Sequence, residues 1–275
     1  MSVCTEAELA LKKRFEEAYA ITVTPVMKEI EREVCGCDYG GNSWTTLEQA
    51  DQLNCLLRLG ADTEFIDLGS GTGWPSLYLA KKSGCNATLV DLPENSIRIA
   101  RQRSQEDGIS DQVTALVADA AELPLEDACF DAISHSDLLC CLVQKQKVLE
   151  ECRRIVRPGG RMAFTVISIT FGLSRSDYAR AIENGPEFIE TQDDYVALLD
   201  KTGWLVEDRV DLTKEYLNSC ECQIQADRAN QGALEDLLGS AQTEERIAGW
   251  RSKLESISEG LFCRELYLCS LLTGT

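Results

Sequence analysis

The 275-residue sequence predicts an α/β fold built on a largely parallel sheet. Three observations carry that prediction. Short apolar runs alternate with helical stretches, the pattern of strand–helix–strand units with right-handed crossovers. The runs are apolar throughout rather than alternating, as expected where both faces of a sheet are covered. A glycine-rich turn, Gly69-Ser70-Gly71-Thr72-Gly73, joins the first run to the helix after it.

The elements follow in order. Residues 1–38 read as helix, with Leu9, Leu11, Phe15, Ala18 and Tyr19 on one face, and Pro25 divides it in two. Residues 35–42 are rich in turn formers. Thr45 or Thr46 then caps a helix to residue 59, with Glu48 in its first turn. Strands are expected at 65–68, 87–90, 113–117, 130–134, 161–169, 204–212 and 262–272. Between them lie a helix with Pro75 in its first turn and Gly84 past its end, and helices at 95–106, 144–157, 191–202 and 215–257. Pro158-Gly159-Gly160 is expected to stop the helix at 144–157. We divide the chain into a helical N-terminal extension or lid, 1–43, and a single domain, 44–275, with an insertion around 170–190.

The composition narrows the function. With 44% hydrophobic and 27% charged residues the chain is an ordinary globular mixture. The formal charge of −19 disfavours a nucleic-acid partner and adsorption to anionic membranes. No apolar run is long enough for a membrane span. Residues 1–13 carry Glu6 and Glu8 and lack the apolar stretch of a signal peptide. The 13 cysteines, an odd number, then point to reduced thiols in a cytoplasm. Cys35-x-Cys37 and Cys220-x-Cys222 do not have zinc spacing, and no metal site is expected.

The chemistry concentrates at strand ends. Glycines after the first strand let the backbone approach a ligand closely, at the edge of the sheet where α/β proteins bind ligands. The spacing G-x-G-x-G, two residues after Asp67, departs from the dinucleotide fingerprint and argues against a dehydrogenase. A tight strand-to-helix turn is the competing reading of the loop. Asp91 ends the second strand, where a carboxylate can accept two ribose hydroxyls; a helix-start residue is its other reading. Asp119 follows the third strand, where it can accept an adenine amino group.

These residues, with Phe130-Asp131 and Arg157-Pro158-Gly159-Gly160, resemble class I S-adenosylmethionine-dependent methyltransferases over about residues 60–170. Within that superfamily the chain is most similar to small-molecule enzymes of the ubiquinone/menaquinone type. The resemblance implies a Rossmann-like seven-stranded sheet, mostly parallel with an antiparallel last strand, and helices on both faces. It implies S-adenosylmethionine as methyl donor, S-adenosylhomocysteine as product and a small-molecule acceptor methylated at N, O or C. Asp67, Gly69, Ser70, Gly71 and Gly73 are then expected beside the methionine moiety and Asp91 on the ribose. Leu92 is expected beside the adenine, and Asp119 with Ala120 along its edge. Ser134 and His135 are expected to line the cleft, and Trp44 to fold over the cofactor.

His135, the single histidine, is the candidate general base; a local hydrogen-bonding role is its alternative. Tyr19, Tyr39 and Trp44 are candidates to enclose a substrate, as an aromatic cage for an amine would. Phe171, Tyr178 and Phe188 are candidates from the insertion. The competing functions are a fold-retaining binding or regulatory protein without turnover, and methylation of arsenite or of a protein. The oligomeric state is not legible.

Overall fold

The computed structural model describes residues 5–39 and 43–272. The turn-forming stretch around Gly40-Gly41-Asn42 and the first four residues lie outside the described residues.

The chain opens with α1 (Glu6–Thr22) and α2 (Pro25–Cys35). A capping box starts α1: the Glu8 amide donates to Thr5 Oγ1 and the Thr5 amide to Glu8 Oε2. Pro25 is the first residue of α2, so the expected break falls where proline's missing N–H costs nothing. Leu11 and Tyr19 of α1 are buried, but Leu9, assigned to the same face, is exposed. Thr46, capping through the Gln49 amide, starts α3 (Leu47–Leu57).

β1 (Glu64–Leu68) and α4 (Ser76–Ser83) flank the glycine loop. There follow β2 (Asn86–Asp91), α5 (Glu94–Glu106), β3 (Val113–Val117), β4 (Phe130–Ser136) and α6 (Lys145–Ile155). β5 (Val156–Ile169) starts earlier than expected and α6 ends two residues sooner. Pro158 bars helical backbone at Arg157, and Val156 is already extended. Residues 156–160 therefore form an irregular start to the strand, with a register shift against β4.

α7 (Arg175–Asn184) lies in the expected insertion, and α8 (Tyr195–Lys201) is shorter than expected. β6 (Trp204–Asp211) leads into α9 (Thr213–Ala229), α10 (Gln231–Leu238) and α11 (Ser240–Ser258), and β7 (Phe262–Leu271) follows.

The strands form one seven-stranded sheet in the order β3-β2-β1-β4-β5-β7-β6. β1 to β5 are mutually parallel, and β7 runs antiparallel between β5 and β6. Both faces are covered. Ile66, Leu68, Ile133 and Phe164 belong to one buried cluster; Phe65, Leu89, Ala132 and Ala163 belong to another, with Leu53 of α3 and Leu77 of α4. The period of two along each strand thus feeds two cores, which is why the strands read as continuous apolar runs.

From β1 the chain steps outward to β2 and β3, then returns to the far side of β1 for β4 and β5. The connections after β1 and β4 depart in opposite directions and leave a crevice at the carboxyl ends of those strands. The glycine loop and residues 136–144 border that crevice.

The C-terminal helices are tied together across one buried carboxylate. Asp227 of α9 receives Arg246 Nε (2.7 Å) and Trp250 Nε1 (3.0 Å) from α11, and Gln223 Nε2 (2.8 Å) from its own helix. Met27 and Ile30 of α2 pack against Ala226 and Leu234 beneath this pair.

Candidate functional site

A cavity of about 560 Å³ occupies the crevice, within the range typical of small-molecule sites. Its floor is the strand-end loops, and its roof is α1.

Gly69, Ser70 and Gly71 line the floor. Gly71 has φ +53°, and a Cβ there would lie 3.2 Å from Tyr19 Oη, so the loop passes close under α1 only because the residue is glycine. Gly69, at φ +68°, would meet Leu138 at 2.8 Å. Ser70 Oγ is buried in this wall and has no hydrogen-bond partner among the described residues.

Asp91 and Leu92 continue the wall. Asp91 Oδ1 accepts the Leu92 amide at 2.9 Å, while Oδ2 is buried without a partner among the described residues. Burial raises the Asp91 carboxyl from 3.8 to about 6, against the pull of the hydrogen bonds it accepts. Such an acceptor is costly to leave unused, and a ligand hydroxyl would satisfy it. Asp119 and Ala120 also line the cavity, with Asp119 Oδ1 held by the Ala121 amide at 2.9 Å. Asp91 and Ser70, each with a buried oxygen unpartnered among the described residues, thus line one space with a glycine floor and a second strand-end carboxylate, and this set fits a nucleoside bearing free hydroxyls.

Several expected residues stand elsewhere. Asp67 lies behind the loop and does not line the cavity. It accepts Ser134 Oγ at 2.6 Å and also Ser76 Oγ, which joins β1 to β4 and α4. Burial raises its carboxyl to about 7 despite these hydrogen bonds. Ser134 is spent on that bond. Gly73, at φ +106°, packs against Leu77 and Ala100 and sets the approach of α4 to the loop.

His135 is a correction. Its neighbours Ser134 and Ser136 face the other way along β4, and Ser136 lines the cavity while His135 does not. The imidazole stacks on Phe164 (centroids 4.4 Å apart), and burial lowers its pKa to about 3. A ring walled off from the cavity is not placed to take a substrate proton.

Trp44 does line the cavity, edge-on to Tyr216 and Trp250. Tyr19 roofs the glycine loop. Tyr39 does not line the cavity: its hydroxyl donates to Asp107 at 2.6 Å, and its ring stacks on Trp74. Phe171 is fully exposed, Tyr178 bonds Glu190 from the surface, and Phe188 is not in the wall. The insertion contributes Gly185 and Pro186 instead.

Sequence reasoning missed three residues. Trp250 and Lys253, one turn apart on α11, line the cavity. Arg264 of β7 is fully buried. It pairs with Asp137 at 2.9 Å and donates to Trp44 O, Gln49 Oε1 and Thr165 Oγ1, holding together the loops that frame the cavity. An arginine amid the apolar residues of the last strand was the one available signal.

Residues 66–164 match the family model described as a methyltransferase domain. Over that stretch the chain is similar to methyltransferase domains. The glycine loop, Asp91 and Asp119 all lie within the matched stretch. The chain is 32% identical over 159 residues to methyltransferase GfsG of Streptomyces halstedii, covering 56% of each chain. It is 29% identical over 185 residues to the 27-O-demethylrifamycin SV methyltransferase of Amycolatopsis mediterranei, covering 64% of this chain and 68% of that one. The first of these matches thus spans little more than half the relative's length. The fold is that of geranyl diphosphate C-methyltransferase from Streptomyces coelicolor, solved with Mg2+, geranyl diphosphate and S-adenosyl-L-homocysteine. The TM-score is 0.72 at 17% identity, covering 98% of this chain and all of that one.

Proposed function

We propose that the chain is an S-adenosylmethionine-dependent methyltransferase acting on a small molecule. The observation that carries this is that Asp91, whose Oδ2 has no partner among the described residues, lines the same cavity as the Gly69–Gly71 floor. Asp91 is positioned to take the ribose hydroxyls. Asp119 and Ala120 are positioned for the adenine edge, with Leu92 beside the ring. Gly69, Ser70 and Gly71 are positioned for the methionine moiety. Asp67 and Gly73 act from behind, by fixing the loop.

The bound donor supplies a methyl group already activated by its sulfonium charge, transferred by in-line displacement. The chain's part is alignment and exclusion of water, and proximity and orientation are worth roughly 7–11 kcal/mol. α1 does the excluding: Leu11, Phe15 and Tyr19 roof the cavity, and Glu16 docks the helix by accepting the Glu94 and Asn95 amides at the start of α5. On this reading residues 1–43 act as a lid over a domain at 44–275.

The name of the rifamycin methyltransferase relative supports a small-molecule acceptor, and the charge of −19 speaks against nucleic acid. No helix of the described residues is long and apolar enough to cross a membrane. The twelve described cysteines are free thiols, which supports a reducing, cytoplasmic setting.

Calorimetric titration with S-adenosylmethionine and S-adenosylhomocysteine, with NAD as control, tests the donor. Saturable binding of the first two and none of NAD is expected. Binding of NAD alone, or of none of the three to folded protein, refutes the assignment.

A further inference from the structure

The cavity is larger than its glycine floor and carboxylates account for, and its second half differs in chemistry. Beyond Tyr19 the wall passes to Trp44, Cys141, Leu142, Ile167 and Trp250, an apolar enclosure. Three cationic residues line the cavity, Lys12 and Arg14 of α1 and Lys253 of α11. Arg14 of α1 stands at the mouth and is bridged to Glu187 at 3.4 Å. Lys253 of α11 lies within, its ammonium 5.5 Å from the Trp44 ring centre and 5.3 Å from that of Trp250.

Lys253 forms no hydrogen bond or ion pair with any described residue. Asp137, the nearest acidic wall residue in sequence to Cys140 and Cys141, is already held by Arg264. Lys253 sits against Trp44 and Trp250 in the cavity wall, and that position places it in the apolar half. A half-buried ammonium beside two indoles, with no acidic partner among the described residues, gains by meeting an anion. Its seat on both rings also bears on an amine acceptor. The aromatic faces that would attract a substrate cation are already taken by a protein cation, which repels another.

We propose that the methyl acceptor is an amphipathic acid, with an apolar body held by Trp44, Trp250 and Leu142 and an anionic oxygen group paired with Lys253. The proposal rests on the methyl-transfer reading in that it takes the other half of the cavity for the donor. Lys253 binds and orients, and no proton transfer is assigned to it.

The test uses three probes with one body and different charge: 4-phenylbutyrate, 4-phenylbutan-1-ol and 4-phenylbutylamine. Each is titrated into the full chain saturated with S-adenosylhomocysteine, by calorimetry and by tryptophan fluorescence. The acid is expected to bind at least tenfold more tightly than the alcohol, and the amine most weakly. Lys253→Met should erase the acid's advantage and Lys253→Arg should keep it. Both variants should bind S-adenosylhomocysteine within twofold of the parent, with unchanged circular dichroism.

Equal affinities, an amine that binds tightest, an acid preference that survives in Lys253→Met, or no saturable binding of any probe overturns the proposal. So does a loss of S-adenosylhomocysteine affinity in Lys253→Met, which gives the lysine to the donor's carboxylate. If the parent does not bind S-adenosylhomocysteine, the donor reading falls. The acid–alcohol comparison without it still tests Lys253.

Discussion

Asp91→Asn should make the ligand-free protein more stable and its cofactor complex weaker. The carboxyl's rise from 3.8 to about 6 means that burial disfavours its charged form by about 3 kcal/mol at neutral pH. Asparagine removes the charge, and its amide oxygen can still accept the Leu92 amide. A gain of about 1–3 kcal/mol is expected, or a Tm roughly 2–6 °C higher. The sign has a pH signature. A carboxyl whose folded pKa lies above its unfolded one loses stability as pH rises through that window. The variant's advantage should therefore grow from pH 4 to about 6 and stay level above. S-adenosylhomocysteine affinity should move the other way. Hydrogen bonds to a charged acceptor are worth about 1.5–3 kcal/mol each, so a loss of about 10- to 100-fold is expected. Denaturant melts across pH and calorimetry read both quantities. A lower Tm in the variant would make Asp91 a structural carboxylate. Unchanged affinity would remove it from the ribose site.

His135→Phe should leave methyl transfer within about threefold of the parent, checked once an acceptor is found. Its depressed pKa makes the folded state lose stability as pH falls from 6.5 towards about 3, and the substitution should remove that loss in melts below pH 6. Arg264→Met strands Asp137 and should cost about 3–5 kcal/mol by chemical denaturation, the usual result of breaking one half of a buried pair. Gly73→Ala, at φ +106° and with its Cβ 2.4 Å from Leu77 Cδ1, should lower stability by at least about 1–3 kcal/mol. Unchanged melting would show that α4 can move away from the loop.

The donor half was legible because its parts are local. A strand, two or three turn residues and a carboxylate repeat at β1, β2 and β3, and their order alone brings Gly71, Asp91 and Asp119 to one edge. The acceptor half is assembled from α1, residues 140–142, the loop after α7 and α11, segments that no spacing rule connects. Trp250 and Lys253 read in sequence as two residues of a mixed, weakly patterned helix. Their meaning comes from Asp227, which lies 23 residues before Trp250 and pulls α11 into place. His135 shows a simpler limit of the sequence: a place at the end of β4 does not say which face a residue takes, since a strand presents alternate residues to opposite faces. The apolar neighbours Ile133 and Phe164 carried the information that His135 points into packing.

The two halves of the cavity also differ in sign, and that division helps to order the reaction. On the proposed reading Asp91 and Asp119 line the donor side and Lys253 the acceptor side, within a chain of formal charge −19. A cationic sulfonium is drawn by the overall field and meets carboxylates. An acid approaches against the same field and is rewarded only on reaching Lys253. Added salt should therefore speed the acid's encounter while weakening its final contact, since long-range repulsion is screened more than a partly desolvated pair. The donor, favoured at long range and roofed by α1, enters first in this scheme. Lys253 then selects the acceptor from the side of the cavity that the donor leaves open.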